Sequence, residues 1–194
     1  MKYSLLLSAL IISLAGYGQN WVKQYDHVDD CICGLSLVGK GDKHGYVNKE
    51  GKLVIPLIYD DAMSFSEGMA AVKKDGKWGF LDSTGKEIIP MKYADAMSFH
   101  NDLAIVGIAG NYGFIDKSGA VVIPLTFENA TKFSEDLAAV SKNGQWGYID
   151  INGKLVIPYK YGFAGSFSEG SAKVMKDNKW LIIDKTGKKI ADAE

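Results

Sequence analysis

Short stretches of alternating residues run through the chain. In the segment KWGFLD, which starts at Lys77, successive side chains point to opposite faces of an extended strand. Trp78 and Phe80 share one face, and Gly79 lies on the other. The segment therefore predicts a β-strand that is buried on at least one face.

A turn and a second strand follow. Asp82 is placed to accept hydrogen bonds from the turn backbone, and Gly85 can adopt a positive φ. The apolar run after the turn ends at Pro90, which we expect to be the last residue of its strand. After a looser segment, LAIVG at 103–107 predicts a third strand. Three short strands joined by tight turns predict an antiparallel meander.

The pattern repeats every 34 residues without insertion or deletion. It predicts a half unit at 22–43, full units at 44–77, 78–111, 112–145 and 146–179, and a partial unit at 180–191. Tetratricopeptide arrays have the same period, but the proline in each full unit and the glycines at 162–170 disfavour their helices. The most regular positions are Trp78, Gly79, Tyr112, Gly113, Trp146, Gly147 and Trp180, with Pro56, Pro90, Pro124 and Pro158.

The chain resembles the WG-repeat family of bacterial proteins, named for this Trp-Gly pair. The resemblance covers about residues 22–191 and rests on the pattern [WYH]-G-[FY]-[ILV]-[DN], followed by a glycine and by the apolar pair before each proline. It implies a β-rich repeat architecture and frequent export. The family has no established catalytic residues, so the resemblance implies none in this chain.

The sequence therefore predicts an all-β protein with tandem 34-residue β-meander repeats in an open, solenoid-like array with degenerate end caps. Leu181 favours the open array, because the glycine of the other units is replaced where no further unit follows. The alternative is a closed, propeller-like ring of five units, in which the two partial units complete one another.

The recurrent aromatic residues are interpreted either as a scaffold or as a surface that stacks on a ligand. A repeat unit cannot bury its apolar face alone, so we expect these rings to pack against the neighbouring unit. The glycine after each ring supports the scaffold, since a missing side chain allows another backbone to approach closely. Turn capping is likewise expected for the recurrent aspartates, rather than catalysis or calcium binding: Asp82, Asp116, Asp150 and Asp184.

Cys31 and Cys33 are the only cysteines. Repeat register places Cys31 where the next unit has Phe65, so we expect a small core residue at the edge of the array. In an exported protein the two thiols would form a disulfide with one another or between chains. His27 and His44 lie nearby, but the spacing matches no common zinc pattern, and we predict no metal site and no cofactor.

The most individual stretch is His100-Asn101-Asp102, which replaces the Ser-Glu-Gly of residues 66–68 and 168–170. A departure from the repeat on a loop marks a candidate binding site, and drift in a tolerant loop is the alternative. No serine or cysteine lies in a nucleophile motif, so no catalytic residue is assigned and no enzyme is expected. The alternative function is a secreted hydrolase or hydrolase inhibitor that uses this stretch.

Residues 1–18 have the features of a signal peptide, with Lys2, an apolar run at 5–15 and a cut after Gly18. The run is too short to span a membrane, and residues 19–194 are expected to form one WG-repeat domain. With 22 basic and 23 acidic residues, the charge does not favour nucleic acid. We predict an exported, non-enzymatic module that is periplasmic, on the cell surface or extracellular. It has a structural role or binds a protein, peptide or glycan of the envelope.

Overall fold

Five small sheets make up the protein. The computed structural model describes residues 20–193, so the predicted signal peptide lies outside the described part. After a short 3-10 helix at Asn20–Gln24, the chain forms twenty strands in five four-stranded antiparallel sheets. Sequential strands pair within each sheet, so every sheet is a meander. The predicted all-β class and its tandem repeats are therefore confirmed.

Each sheet begins with a two-residue strand and continues with three strands of four to seven residues. The first sheet contains β1 His27–Val28, β2 Leu35–Lys40, β3 Lys43–Asn48 and β4 Leu53–Tyr59. The second contains β5 Asp61–Ala62, β6 Met69–Lys74, β7 Lys77–Asp82 and β8 Glu87–Tyr93. The third contains β9 Asp95–Ala96, β10 Ala104–Ile108, β11 Asn111–Ile115 and β12 Val121–Phe127. The fourth contains β13 Asn129–Ala130, β14 Leu137–Lys142, β15 Gln145–Asp150 and β16 Leu155–Tyr161. The fifth contains β17 Phe163–Ala164, β18 Ser171–Lys176, β19 Lys179–Asp184 and β20 Lys189–Asp192.

The sequence predicted three strands per unit, and the structure has four. The additional strand lies in the segment that the sequence suggested was loose, where Asp61 and Ala62 pair with Lys73 and Val72. Two residues are too few for an alternating pattern to show. Each sheet also combines strands from two adjacent sequence units, because the pairing runs across the 34-residue boundaries.

The five sheets stack face to face in chain order. Within one strand, alternate residues pack on different neighbours: Ala70 and Val72 face the first sheet, whereas Met69 and Ala71 face the third. Because internal sheets are buried on both faces, their strands contain unbroken apolar runs. Four clusters of buried residues, one at each junction between neighbouring sheets, form the core.

An aromatic pair crosses every junction. The third residue of each Trp-Gly motif contacts the recurrent phenylalanine of the next sheet, with ring centroids 4.8–5.0 Å apart; the pairs are Tyr46–Phe65, Phe80–Phe99, Phe114–Phe133 and Tyr148–Phe167. Two of these rings add a hydrogen bond, since the hydroxyls of Tyr46 and Tyr148 donate to the carbonyls of Met63 and Gly165 at 2.7 Å. Burial raises the pKa of both hydroxyls, so they remain protonated donors.

The glycine of each motif allows a bulge in the outermost strand. In the third sheet, Tyr112 pairs with Phe127 and Phe114 pairs with Ile123, so the outer strand carries two extra residues between these pairs. A Cβ added to Gly113 would lie 2.5 Å from the carbonyl oxygen of Ile123. Backbone therefore occupies the space that a side chain would need.

The prolines lie inside this bulge. Strand β8 continues through Pro90 to Tyr93, so the expectation that the strand ends at the proline is wrong. Pro90 is exposed on the outermost strand, which has no neighbour on its far side, and the ladder is already interrupted there. A proline is tolerated at such a position because no ladder hydrogen bond is lost.

The two ends of the stack differ from its interior. Trp21, which stands 34 residues before Ile55, packs against Gly51 in the way that Ile55 packs against Gly85 in the next sheet. The N-terminal 3-10 helix thus caps the first sheet. At the other end, no strand of residues 20–193 pairs the fifth sheet with the first, and Trp180 is 38% exposed. The array is open, as predicted.

No helix within residues 20–193 has the length and apolar character needed to cross a bilayer.

The motif glycines provide a direct test of the fold. We expect Gly113→Ala to lower the free energy of unfolding by about 1–3 kcal/mol, because the added methyl group forces the outer strand away. Gly39→Ala is the matched control, since its Cβ would meet His44 at an ordinary 3.5 Å. Urea denaturation of both variants measures the difference. Equal stability of the two would contradict the assigned bulge.

Candidate functional site

The strands end on two opposite rims of the stack. The rim formed by the two-residue turns between the second and third strands of each sheet, such as 75–76 and 143–144, is called the hairpin rim. The opposite rim carries the turns that precede the second strands, such as 101–102, and those that follow the third strands, such as 83–86. A strand of about six residues, or about 20 Å, separates them.

The hairpin rim carries the first ring of each repeat motif. These rings alternate in sequence, every 17 residues, with the first residue of each two-residue strand. In the third sheet the two positions are in contact, because the hydroxyl of Tyr112 donates to the Asp95 carboxylate at 3.1 Å. The contact raises the pKa of Tyr112, after burial as the first cause.

In the last two sheets this row becomes wholly aromatic. Phe163 lies between Trp146 and Trp180, with ring centroids 5.7 Å from each. Phe163 is 44% exposed, Trp180 is 38% exposed and Trp146 is half-buried. The ammonium of Lys173 lies 5.1 Å from the Trp180 ring centroid. We call Trp146, Phe163 and Trp180 the aromatic strip.

The sequence did not single out Phe163. The signal was present, because the equivalent residues of the other units are polar: Asp61, Asp95 and Asn129. A phenylalanine at this position departs from the repeat as clearly as His100 does. Its proximity to two tryptophans appears only when residues 17 apart are brought together by the stacking.

The repeated ring positions are placed differently along the stack. Trp78 is buried, and Tyr112 and Trp146 are half-buried against the cores of their own junctions. His44 is half-buried in the first sheet. Trp180 is the exposed one, since no sixth sheet covers it. The scaffold and surface interpretations therefore apply to different members of one series.

His100, Asn101 and Asp102 lie on the opposite rim, away from the aromatic strip. Asn101 and Asp102 have φ values of 53° and 61°, and the equivalent residues of the other sheets also have positive φ. The Asp102 amide donates to Glu67 at 3.0 Å, and Lys117 bridges the Asp102 and Glu67 carboxylates at 2.7 and 3.2 Å. This stretch therefore forms a regular turn that joins the second and third sheets.

The same turn lacks links to the fourth sheet. In the second sheet, the Ser66 hydroxyl donates to the carbonyl of Phe99 at 2.7 Å, and Ser134 makes the equivalent bond from the fourth sheet to the fifth. His100 and Asn101 replace the serine and glutamate that make such contacts. Among residues 20–193, no side-chain hydrogen bond joins the third and fourth sheets.

The recurrent aspartates bind the backbone of their own turns. Asp82 accepts hydrogen bonds from the amides of Thr84 and Lys86 at 2.9 and 3.0 Å, and from the Thr84 hydroxyl at 2.6 Å. The hydroxyl is the main cause that lowers the pKa of Asp82, and Asp116 and Asp184 have the same arrangement. Within the described range, no three His, Cys, Asp or Glu side chains form a metal-binding group.

Cys31 and Cys33 are exposed, free thiols, and the disulfide between them stays a prediction. The expectation that Cys31 is a core residue is wrong. The equivalent Phe65 is buried by the preceding sheet, and the first sheet has none. His27 lies nearby in sequence and forms a 2.6 Å contact between its Nε2 and the Asp29 carboxylate.

Restoring the missing links should stabilise the junction between the third and fourth sheets. We expect the double variant His100→Ser/Asn101→Glu to raise the free energy of unfolding by about 1–2 kcal/mol, through two new hydrogen bonds to the fourth sheet. The reciprocal change Ser168→His/Glu169→Asn is the control and should be neutral, because no sheet follows the fifth. Thermal and urea denaturation provide the measurement. A loss of stability in the first variant would disprove this account of the turn.

The chain matches the family model described as WG containing repeat over four successive segments, residues 45–78, 78–112, 112–146 and 146–180. No curated protein matches it. Among solved structures, it is similar to BamB from Moraxella catarrhalis, with a TM-score of 0.53 and 15% identity, covering 86% of this chain and 59% of that one. It is also similar to Hsv2p from Kluyveromyces lactis, with a TM-score of 0.54 and 11% identity, covering 85% and 63%. This chain therefore spans about three fifths of the length of these structures, and at such low identity the likeness concerns the fold alone. Since the four matched segments span most of the array, the chain belongs to the WG-repeat family.

Proposed function

We propose that this WG-repeat protein is a non-enzymatic binding module of the bacterial cell envelope or extracellular space. Its partner-binding surface is the aromatic strip. The observation that carries the proposal is the exposure of Phe163 and Trp180 beside Trp146 on one rim of a rigid stack.

Exposed aromatic rings are unfavourable unless something covers them. Fully burying a large apolar side chain stabilises a complex by about 1.5–3 kcal/mol, and tryptophan is enriched among the residues that dominate binding energies. The equivalent positions in the first three sheets carry polar residues, so the fold itself does not require Phe163. A role in binding accounts for the substitution.

The strip is held in place before any partner arrives. Trp146 packs against the core between the fourth and fifth sheets, and Phe163 contacts the rings on both sides. Rings fixed in this way lose little conformational freedom on binding, which favours affinity. The Lys173 ammonium near Trp180 adds a positive charge at the end of the strip. A protein, peptide or glycan of the envelope fits such a mixed apolar and basic surface.

The alternative of a hydrolase or hydrolase inhibitor at His100–Asp102 gains no support. The Asp102 carboxylate contacts Lys117, and its amide binds Glu67 in a turn that recurs in every sheet. We therefore keep the binding module as the single proposed function.

Substitutions in the strip test this function. The purified protein is screened against envelope glycans and peptides, and the best ligand is titrated calorimetrically against the wild type and variants. We expect Phe163→Asp/Trp180→Ala to weaken binding at least about tenfold. Phe163→Asp introduces the residue found at Asp61 and Asp95, so the fold should tolerate it.

Ile108→Ala is the matched control. Ile108 is 46% exposed at the hairpin rim of the third sheet, so this change removes apolar surface outside the strip and should leave affinity unchanged. An equal loss in both variants, or chemical conversion of the ligand by the protein, would reject the proposal. Denaturation midpoints establish that each variant is folded.

Export is tested separately. Expressed with residues 1–18 in a bacterial host, the protein should appear outside the cytoplasm with Gln19 as its first residue. Mass spectrometry of the intact protein from cell fractions identifies this N-terminus. Recovery of the full-length chain from the cytoplasm alone would contradict the predicted compartment.

A further inference from the structure

A cavity of about 210 Å³ opens between the fourth and fifth sheets. Three lysines line it, namely Lys160, Lys176 and Lys189, and Leu181 and Ile183 form an apolar part of its wall. If one water molecule takes about 30 Å³, this volume corresponds to about seven waters. The cavity is distinct from the aromatic strip, whose residues do not line it.

The cavity exists because this junction lacks a side chain that the other three contain. A half-buried residue of the outer strand packs against the core at each earlier junction, and these residues are Met91, Leu125 and Tyr159. The residue 34 positions after Tyr159 is Ala193, which is too small to fill the same space.

The outer strand also takes a different path in the fifth sheet. Leu181 replaces the motif glycine, and it pairs with Asp192 while Ile182 pairs with Ala191. The two extra residues of the other outer strands are therefore absent at this point, and the segment that would cover the cavity is lost.

The three lysines converge only at this junction. At the equivalent positions, the first junction has Ile58, Lys74 and Glu87, the second has Lys92, Ile108 and Val121, and the third has Thr126, Lys142 and Leu155. Each of those sets contains a single lysine. No acidic residue lines the cavity between the fourth and fifth sheets.

The positive charges around the cavity are only partly balanced. Lys189 contacts the Asp192 carboxylate at 2.6 Å, whereas the Lys160 ammonium lies 5.3 Å from the ring centroid of Tyr161. Among residues 20–193, no carboxylate lies within ion-pair distance of Lys160 or Lys176. Like charges brought together repel one another, and a bound anion would relieve that repulsion.

We propose that this cavity binds a phosphate group, either as the free ion or as an ester of a larger molecule. Lysine ammoniums are common phosphate ligands, and three of them can surround one tetrahedral anion. Leu181 and Ile183 suit the carbon portion of an ester, for which the volume beyond a single phosphate leaves room. This site does not depend on the proposed function of the aromatic strip.

Calorimetric titration at low ionic strength tests the site, with inorganic phosphate and glycerol 3-phosphate as probes. We expect binding in the millimolar range or tighter, weakened at least about tenfold in Lys160→Gln/Lys176→Gln. The matched control is Lys92→Gln/Lys142→Gln, which removes equivalent lysines at other junctions. Lys92 also lies over a tyrosine, 5.1 Å from the Tyr93 ring centroid. The control should bind phosphate like the wild type.

A second variant removes the cavity and keeps every lysine. Ala193→Tyr introduces the side chain that fills the preceding junction and should abolish phosphate binding. Tighter binding of glycerol 3-phosphate than of inorganic phosphate would identify an ester as the source, and equal or weaker binding would identify the free ion. No binding below about 10 mM, or an equal loss in the Lys92/Lys142 control, would overturn the proposal.

Discussion

The contact between two aromatic rings at each junction determines how the sheets stack. Phe80 and Phe99 illustrate it: one ring comes from the strand that follows a hairpin, and the other comes from the leading segment of the next sheet, 5.0 Å away. Each pair buries large apolar surfaces and fixes the spacing between two sheets. Because each sheet carries one ring for the sheet before it and another for the sheet after it, a single interaction repeated four times orders the whole chain.

The motif glycine has effects beyond its own position. Where glycine is present, the outer strand bulges, carries a proline and sends a side chain such as Tyr159 into the junction. Where Leu181 replaces it, the bulge is lost and the junction stays open. The fifth sheet, which relaxes the repeat most, therefore contains both the exposed rings and the lysine-lined cavity. The same sequence change that ends the regular pattern creates surface that the other sheets do not have.

The sequence was sufficient to predict the all-β class, the repeat length and the open array, because each follows from a pattern that recurs along the chain. Two-residue strands such as Asp61–Ala62 were missed, since alternation needs more than two residues to be visible. The aromatic strip and the cavity were also missed. Their residues lie in different strands, and sequence spacing alone does not show that Phe163 reaches Trp146 or that Lys160 and Lys189 face one space.

The N-terminal 3-10 helix has a consequence for how molecules associate. Stacked sheets with complementary front and back faces could in principle continue from one molecule to the next and grow into filaments. Trp21 occupies the position at Gly51 that an isoleucine of a preceding sheet would take. A second molecule must displace this indole before it can add to that end. A single tryptophan thereby limits the stack to one chain and protects it from head-to-tail polymerisation.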